Sequence, residues 1–247
     1  MERSEYERLA AVEERMWWLG GLHANLLAAW RQAAAVKRPA VVLDAGCGTG
    51  GFLKRLAAER PDCAAFGLDL DAGAAAAARA KSARPVCIGD VAALPFRDQS
   101  FDAIFSADVL CHRGVDESAA LQGFRRCLRP GGLLVLNLPA YRWLYSAHDV
   151  AVDNARRYGR GDIRTLLGRA GFAQVRSRYW NSFLFPLMVL RRKLLPAAAS
   201  GPKSDVALLP APVERLFSAC LALERRLLRW RVPLPFGGSI LTMAVRP

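Results

Sequence analysis

The sequence predicts an α/β domain built on a mostly parallel sheet with helices on both faces. Three observations carry this. Between residues 40 and 138, short apolar runs of strand length alternate with helix-length segments, the pattern of strands buried on both faces. The first of these runs, Val41-Val42-Leu43, passes into the glycine-rich Asp44-Ala-Gly-Cys-Gly-Thr-Gly50 and then into a helical segment. Finally, 247 residues of 53% hydrophobic composition suffice for one sizeable core and exclude a disordered chain.

In chain order, two helices open the molecule at 6–18 and 22–35, separated by Gly20-Gly21, and Pro39 closes the helical region. Residues 1–38 read as a helical lid on a domain spanning 39–247. Strands at 40–43, 64–68, 86–88 and 101–105 then alternate with helices at 52–59, 72–83 and 117–128. The turn Pro130-Gly131-Gly132 leads into a strand at 133–138. A helix at 163–170 precedes Ala173, Val175, Ser177 and Tyr179, which alternate with Gln174, Arg176 and Arg178 as in a half-buried edge strand. The last strand is 239–245. The stretch between these two strands, about 182–238, is far too long for a hairpin loop and reads as a helical insertion. Seven strands result.

Six scattered cysteines (47, 63, 87, 111, 127 and 220) form no C-x-x-C pair, so neither a zinc site nor a redox motif is expected, and no metal. The charged segment 2–15 is unlike a secretory signal. The longest apolar run, 183–190, is shorter than the ~20 residues of a membrane span. A cytoplasmic protein is the expectation.

The glycine-rich loop carries the chemistry. Glycines at alternate positions after a buried strand let the backbone approach a ligand at a helix N-terminus. A dinucleotide fingerprint is G-x-G-x-x-G, whereas Gly46, Gly48 and Gly50 follow D-x-G-x-G-x-G. That form resembles the class I S-adenosylmethionine-dependent methyltransferases. Phe66-Gly-Leu-Asp-Leu-Asp71 places an acid after the second strand; Gly89-Asp-Val-Ala-Ala-Leu-Pro-Phe96 through Ser100-Phe-Asp102 resembles the family's GDA-x-x-LPF…SFD run; Leu128-Arg-Pro-Gly-Gly132 matches its L-(R/K)-PGG turn. Over about residues 40–140 the likeness is to the type 11, ubiquinone-type family, with a Rossmann-like seven-stranded sheet implied. S-adenosylmethionine would then be the methyl donor, with Asp69 accepting the ribose hydroxyls and Asp90 meeting the adenine amino group. Asp44, Gly46, Cys47, Gly48, Gly50, Leu70, Val91 and Ala107 would complete its site. Asp44 either contacts the donor or fixes the loop by accepting backbone N–H bonds. Asp71 reads as the N-cap of the next helix, and Asp102 as a turn or strand-edge residue.

Methyl transfer from a sulfonium is an in-line displacement, so much of its catalysis is positioning and exclusion of water. A hydroxyl or carbon acceptor gains from a general base. Among three histidines, His148, beside Asp149 after the fifth strand, is the first candidate for a base or orienting group, with Tyr145 nearby. His112, at the end of the fourth strand after Asp108-Val-Leu-Cys111, is the second, either catalytic or packing under the methionine end of the donor. His23 reads as structural. A weaker resemblance to a bacterial subgroup covers 141–149, Arg156-Arg157-Tyr158 and 181–186, where Asn154-Ala155 stand in place of an expected histidine. Tyr141, Arg157 and Tyr158 are candidate acceptor-binding residues. Adjacent Trp17 and Trp18 cannot both face the core from one helix, so one is a candidate cap on the pocket.

The net charge of +13 is uneven: 176–231 holds eleven Lys/Arg and three Asp/Glu, an excess of eight. On a helix 213–230, Val213, Leu216, Phe217, Cys220, Leu223, Leu227 and Leu228 share a face opposite Arg215, Arg225, Arg226 and Arg229, with Glu224 inside the apolar face. Glu224 is expected to pair with an arginine or to contact the acceptor. A basic amphipathic helix suits an anionic membrane surface or a cover over an apolar, lipid-like or small-molecule acceptor. Nucleic acid fits less well, because Ser106-Ala107-Asp108-Val109 stands where amino-methylating nucleic-acid enzymes carry (D/N)-P-P-(Y/F). RNA methylation and a non-catalytic donor-binding partner are the alternatives.

Overall fold

The computed structural model describes residues 3–32, 40–193, 207–230 and 232–247. Seven strands, β1 (Val41–Ala45), β2 (Ala64–Asp69), β3 (Val86–Ile88), β4 (Phe101–Ala107), β5 (Leu128–Pro139), β6 (Ala173–Trp180) and β7 (Ser239–Val245), form one sheet in the order β3-β2-β1-β4-β5-β7-β6. The first five pair in parallel, and β7 runs antiparallel to both β5 and β6. This is the expected Rossmann-like α/β sheet. Strand order reverses between β1 and β4, which opens a crevice at their C-terminal ends.

Alternation along the strands sends residues to two separate cores. Val42, Ala103, Phe105 and Val135 pack with α2 (Trp17–Gln32), α3 (Gly51–Glu59) and α4 (Ala72–Ser82) through Leu26, Leu27, Trp30, Leu53 and Ala78. Leu43, Ile104, Leu134 and Leu136 face the other way, onto α5 (Glu117–Cys127) and α7 (Arg160–Arg169) through Leu121, Phe124, Ile163 and Leu167. A strand buried on both sides can be apolar at every position, which explains its short unbroken runs.

Three expectations change. Gly20-Gly21 does not separate the opening helices: α1 (Arg3–Val12) ends earlier, and both glycines lie inside α2. Gly21 is there because a Cβ would overlap Leu221, so it marks a close helix crossing with α9 (Ala211–Arg229). Second, the body of α2 is core rather than lid, with Leu26, Leu27, Ala29 and Trp30 all buried; only α1 and the first turns of α2 reach the crevice. Third, β5 begins at Leu128, because the Pro130-Gly131-Gly132 turn pairs with the chain end through Gly131 N–H to the Arg246 carbonyl and Arg246 N–H to that of Gly132. Residues 33–35 of the expected second helix, and Pro39, lie outside the described residues.

The insertion between β6 and β7 contains α8 (Phe185–Lys193) and α9. The buried line of α9 is rotated from the expected apolar face: Glu214, Leu221 and Glu224 are buried, whereas Leu216 and Leu223 are 59% and 51% exposed. Carboxylate bonding sets this rotation. Glu224 accepts the N–H groups of Asn181 (2.5 Å), Ser182 (2.7 Å) and Phe183 (3.4 Å), and Glu214 those of Trp17 (2.7 Å) and Leu209 (2.8 Å). Among its described hydrogen bonds, then, Glu224 caps the turn before α8 instead of pairing with arginine. Burial pushes its carboxyl up, and those N–H bonds oppose the shift.

Candidate functional site

A cavity of about 530 Å³ opens at the C-terminal ends of β1, β2 and β4. Its floor is the glycine loop. Gly46 and Cys47 both donate to the Leu68 carbonyl (2.7 and 2.9 Å), and Gly50 donates to that of Cys47 (3.0 Å). Gly46 sits at φ +82°, and a Cβ there would overlap the Val109 side chain. Gly46 and Gly48 line the cavity. Gly50, at φ +88°, instead serves packing: a Cβ would lie 2.6 Å from the Ala78 Cα of α4. Cys47 is buried against Gly67, behind the loop, where burial pushes its thiol up and leaves it a packing group.

Asp69 closes β2 and ties the loop from the other side. Its Oδ2 accepts from Gly48 N–H (2.7 Å), and its Oδ1 from Asp71 N–H (3.1 Å) and the Tyr6 hydroxyl of α1 (3.3 Å). Tyr6 therefore sits over this carboxylate as the outer wall. Asp90 lines the cavity while its Oδ1 caps the short 3-10 turn Val91–Ala93 through Ala92 N–H (2.9 Å). Leu70, 70% exposed, and buried Val91 offer apolar surface between the two acids, and Ala107 continues it. Asp71 is the N-cap of α4, accepting from Ala74 N–H (2.7 Å). Asp102 holds Val41 N–H (2.8 Å) and Arg129 (2.6 Å) at the N-terminal end of β4, the central strand, and so is not a strand-edge residue of the sheet.

Asp44 is not the clamp that fixes the loop, because the Leu68 carbonyl and Asp69 do that. Its Oδ2 is buried without a hydrogen-bond partner, and its carboxyl is pushed up to about 8, first by burial and then by Asp69.

The far half of the cavity is made by side chains from distant segments. Trp17 packs edge-on against Phe217 of α9 (5.2 Å) and Trp18 stacks on Trp180 of β6 (5.9 Å), and both line the wall. Leu184, Leu187 and Met188 add an apolar face. His148, in α6 (Ala147–Ala151), lines the cavity, as does His112, whose imidazole is lowered by burial and whose Nδ1 is buried without a hydrogen-bond partner. Arg157 reaches it from an ion pair with Asp149 (2.8 Å) and a bond to the Ala140 carbonyl (3.0 Å). Asn154, at the place of the missing histidine, accepts from the Cys111 thiol (3.1 Å).

Three expected residues lie elsewhere. The hydroxyl of Tyr145 donates to the Asn154 carbonyl (2.9 Å), and that of Tyr158 bonds Glu117 (2.7 Å) and the Leu110 carbonyl (3.0 Å). Both tyrosines line a second cavity of about 390 Å³, so their hydroxyls brace the loop that carries Asn154 and Arg157. Tyr141 stacks on Tyr179 (5.3 Å), outside the main cavity. His23, buried beside Phe52 and strongly lowered to about 3 by burial and then by Arg55, is structural as expected. Two residues that no motif marks do reach the site region: Asp108 lines the cavity and hydrogen-bonds Asn137 behind it (2.9 Å). The sole sequence signal for Asp108 is an acid immediately after the fourth strand.

A glycine turn and two strand-end acids at the switch point of a sheet with one antiparallel strand near its edge form an arrangement similar to that of the class I S-adenosylmethionine-dependent methyltransferases. Residues 43–136 match the family model described as Methyltransferase domain. The chain is 35% identical over 145 residues to the malonyl-[acyl-carrier protein] O-methyltransferase of Dechloromonas aromatica, covering 56% of this chain and 53% of that protein. It is 41% identical over 110 residues to the demethylmenaquinone methyltransferase of Roseiflexus castenholzii, covering 42% and 46%. The chain thus spans about half the length of these curated relatives. The fold matches Haemonchus contortus phosphoethanolamine N-methyltransferase 2, solved with S-adenosyl-L-methionine, at TM-score 0.60 and 18% identity over 91% of this chain and 52% of that one.

The donor fits the residues present: glycines without Cβ atoms at the cavity floor and the Asp69 carboxylate for hydroxyls, whereas buried Asp44 is not among the residues that line the cavity.

Proposed function

We propose that this chain transfers the methyl group of S-adenosylmethionine to a small-molecule or lipid-like acceptor. One observation carries the reading: a single continuous cavity joins the Gly46–Gly48 loop, Asp69 and Asp90 to the apolar wall of Trp17, Leu184, Leu187, Met188 and Phe217. When bound, the donor supplies an electrophilic methyl on a positively charged sulfur. Asp69 and Asp90 orient it by accepting hydroxyl and amino hydrogens, and the tryptophans and α8 exclude water from the transfer. His148 orients the acceptor or serves its proton.

The name of one relative, which concerns demethylmenaquinone, supports a lipid-like acceptor. The surface of α8 supports a peripheral place on an anionic membrane, since Phe183, Leu187 and Leu190 are more than 40% exposed beside Arg191-Arg192-Lys193. No helix among the described residues is long and apolar enough to cross one.

The test is to incubate the protein with methyl-labelled S-adenosylmethionine and fractionated cell extract. Label in the lipid or small-molecule fraction supports the proposal, label in RNA replaces the acceptor class, and binding of the donor without labelling of any fraction favours a non-catalytic partner. In the labelled fraction, His148→Ala should lower turnover tenfold or more with donor affinity unchanged. Pelleting with anionic liposomes at low salt should retain the protein, and no retention would remove the membrane.

A further inference from the structure

Asp108 is the first residue after β4, where the strand order reverses. The side chain of Val109 occupies the space that a Cβ on Gly46 would need, so the segment carrying Asp108 is seated directly against the donor loop. From there Asp108 lines the main cavity. Its backbone is at φ +54°, a left-handed conformation that aspartate adopts more readily than most non-glycine residues. The surroundings over-determine it: Asp108 N–H donates to the Asn137 carbonyl (2.8 Å), and Cys111 donates its thiol to the Asp108 carbonyl (3.2 Å). Such outliers gather where a side chain must be aimed.

The carboxylate itself is oriented by a buried relay that the donor site does not use. The indole of Trp180 can only donate, and it donates to Asn137 Oδ1 at 2.7 Å. The other end of the Asn137 amide is thereby fixed as a donor, and it bonds Asp108 Oδ2 at 2.9 Å. Both Trp180 and Asn137 are fully buried, so the relay has no solvent to exchange with.

We infer that Asp108 is the general base for the methyl acceptor. This deepens and rests on the methyltransferase reading above. The acceptor is accordingly a protic group, a hydroxyl or an activated C–H, and not a preformed anion. In the step, the electron pair of the acceptor atom forms the bond to the methyl carbon, the C–S pair stays on sulfur, and the acceptor's proton passes to the Asp108 carboxylate. The charge balances without a further reactant.

The groups facing Asp108 agree with this role. Arg157, itself paired with Asp149, approaches from the segment before α7; Asn137 comes from β5; Cys111 and His112 follow on the same loop; Asp69, His148, Asp153 and Arg192 share the cavity wall. Burial pushes the carboxyl up to about 7, and Asn137 and Arg157 oppose that shift. A carboxyl poised there responds to one added positive charge in the same cavity. The sulfonium lowers it by about one unit, giving a carboxylate while the methyl is present. The product thioether is neutral, so the carboxyl keeps the proton received from the acceptor until the next sulfonium binds.

Calorimetry at pH 7 in two buffers of different ionisation enthalpy tests this without an acceptor, by comparing S-adenosylmethionine with S-adenosylhomocysteine. The ligands share their ribose, ammonium and carboxylate, so their difference reports the sulfonium. The wild-type protein should release about 0.4 proton more with the sulfonium ligand, as follows from a shift of about one unit near pH 7. Asp108→Asn, which keeps an acceptor for Asn137, should abolish that difference. In the extract fraction that takes up label, the same variant should lose at least a hundredfold of methyl incorporation, while its affinity for S-adenosylmethionine falls only about fivefold, as a one-unit coupling requires, and its affinity for S-adenosylhomocysteine is kept. Equal proton release for both ligands in the wild type, a difference that survives in Asp108→Asn, or undiminished incorporation by it would overturn the inference. Failure of both ligands to bind would overturn the methyltransferase reading itself.

Discussion

The two halves of the cavity are built in opposite ways. The donor half uses turns that immediately follow β1, β2 and β3, and its contacts run largely through backbone N–H groups and strand-end acids, as in the bond from Gly48 N–H to Asp69. The acceptor half is assembled from α2, α6, α8 and α9, elements up to about two hundred residues apart, held by side chains such as Glu214 on Trp17 N–H (2.7 Å) and Glu224 on Ser182 N–H (2.7 Å). Local geometry makes the first half rigid and tolerant of change elsewhere. The second depends on a few buried carboxylates, and losing one orphans the N–H groups that it satisfies.

Separate perturbation of the halves tests this contrast. The largest effect is expected from Asp69→Ala, which removes the acceptor of Gly48 N–H and the proposed acceptor of the ribose hydroxyls. At about 1.5–3 kcal/mol per charge-assisted bond, donor affinity measured by calorimetry should fall at least a hundredfold. Next, Glu224→Ala leaves up to three N–H groups without their acceptor and should cost about 3 kcal/mol in urea unfolding. Its donor affinity should change less than threefold; a large loss would mean that the halves are not independent. Gly46→Ala adds strain at positive φ and overlap with Val109, so about 2–3 kcal/mol of stability should disappear together with donor binding.

The last prediction concerns Asp44. Its carboxyl is raised to about 8 in the fold, mostly by burial, from an ordinary 3.8. A raised acid contributes stability that is complete below its unfolded value and is lost as pH rises through its folded value. Asp44→Asn removes that loss. Its melting temperature relative to wild type should therefore climb between pH 5 and pH 8 and level off above that. A constant offset across that range would show that the carboxylate already has a partner.

Most of the donor half was legible in the sequence, because each motif is short and its geometry follows from the turn that bears it. Gly46, Gly48, Asp69 and Asp90 all reach the expected crevice, and Asp71 caps α4. The acceptor half was read less well. Tyr158 stands beside Arg157 in the chain and Tyr145 close to His148, yet they bond Asn154, Leu110 and Glu117 around a different cavity. Gly20-Gly21 reads as a break but is a crossing point, since the need for a missing Cβ comes from Leu221, two hundred positions away. The face of α9 was misplaced because a helical wheel scores apolarity, whereas Glu214 and Glu224 are buried for their bonds to backbone.

By itself, then, the sequence determined the α/β sheet, the site of the donor and the chemistry of the residues that receive it, for strand patterning and turn geometry act over a few residues. Only the tertiary structure decided which segments face the donor across the cavity, that Asn137 and Trp180 aim Asp108 into it, and that Tyr141, Tyr145 and Tyr158 do not enter. Those outcomes depend on buried hydrogen bonds between residues tens to hundreds of positions apart, and each is set by satisfying a polar group that has no water to turn to.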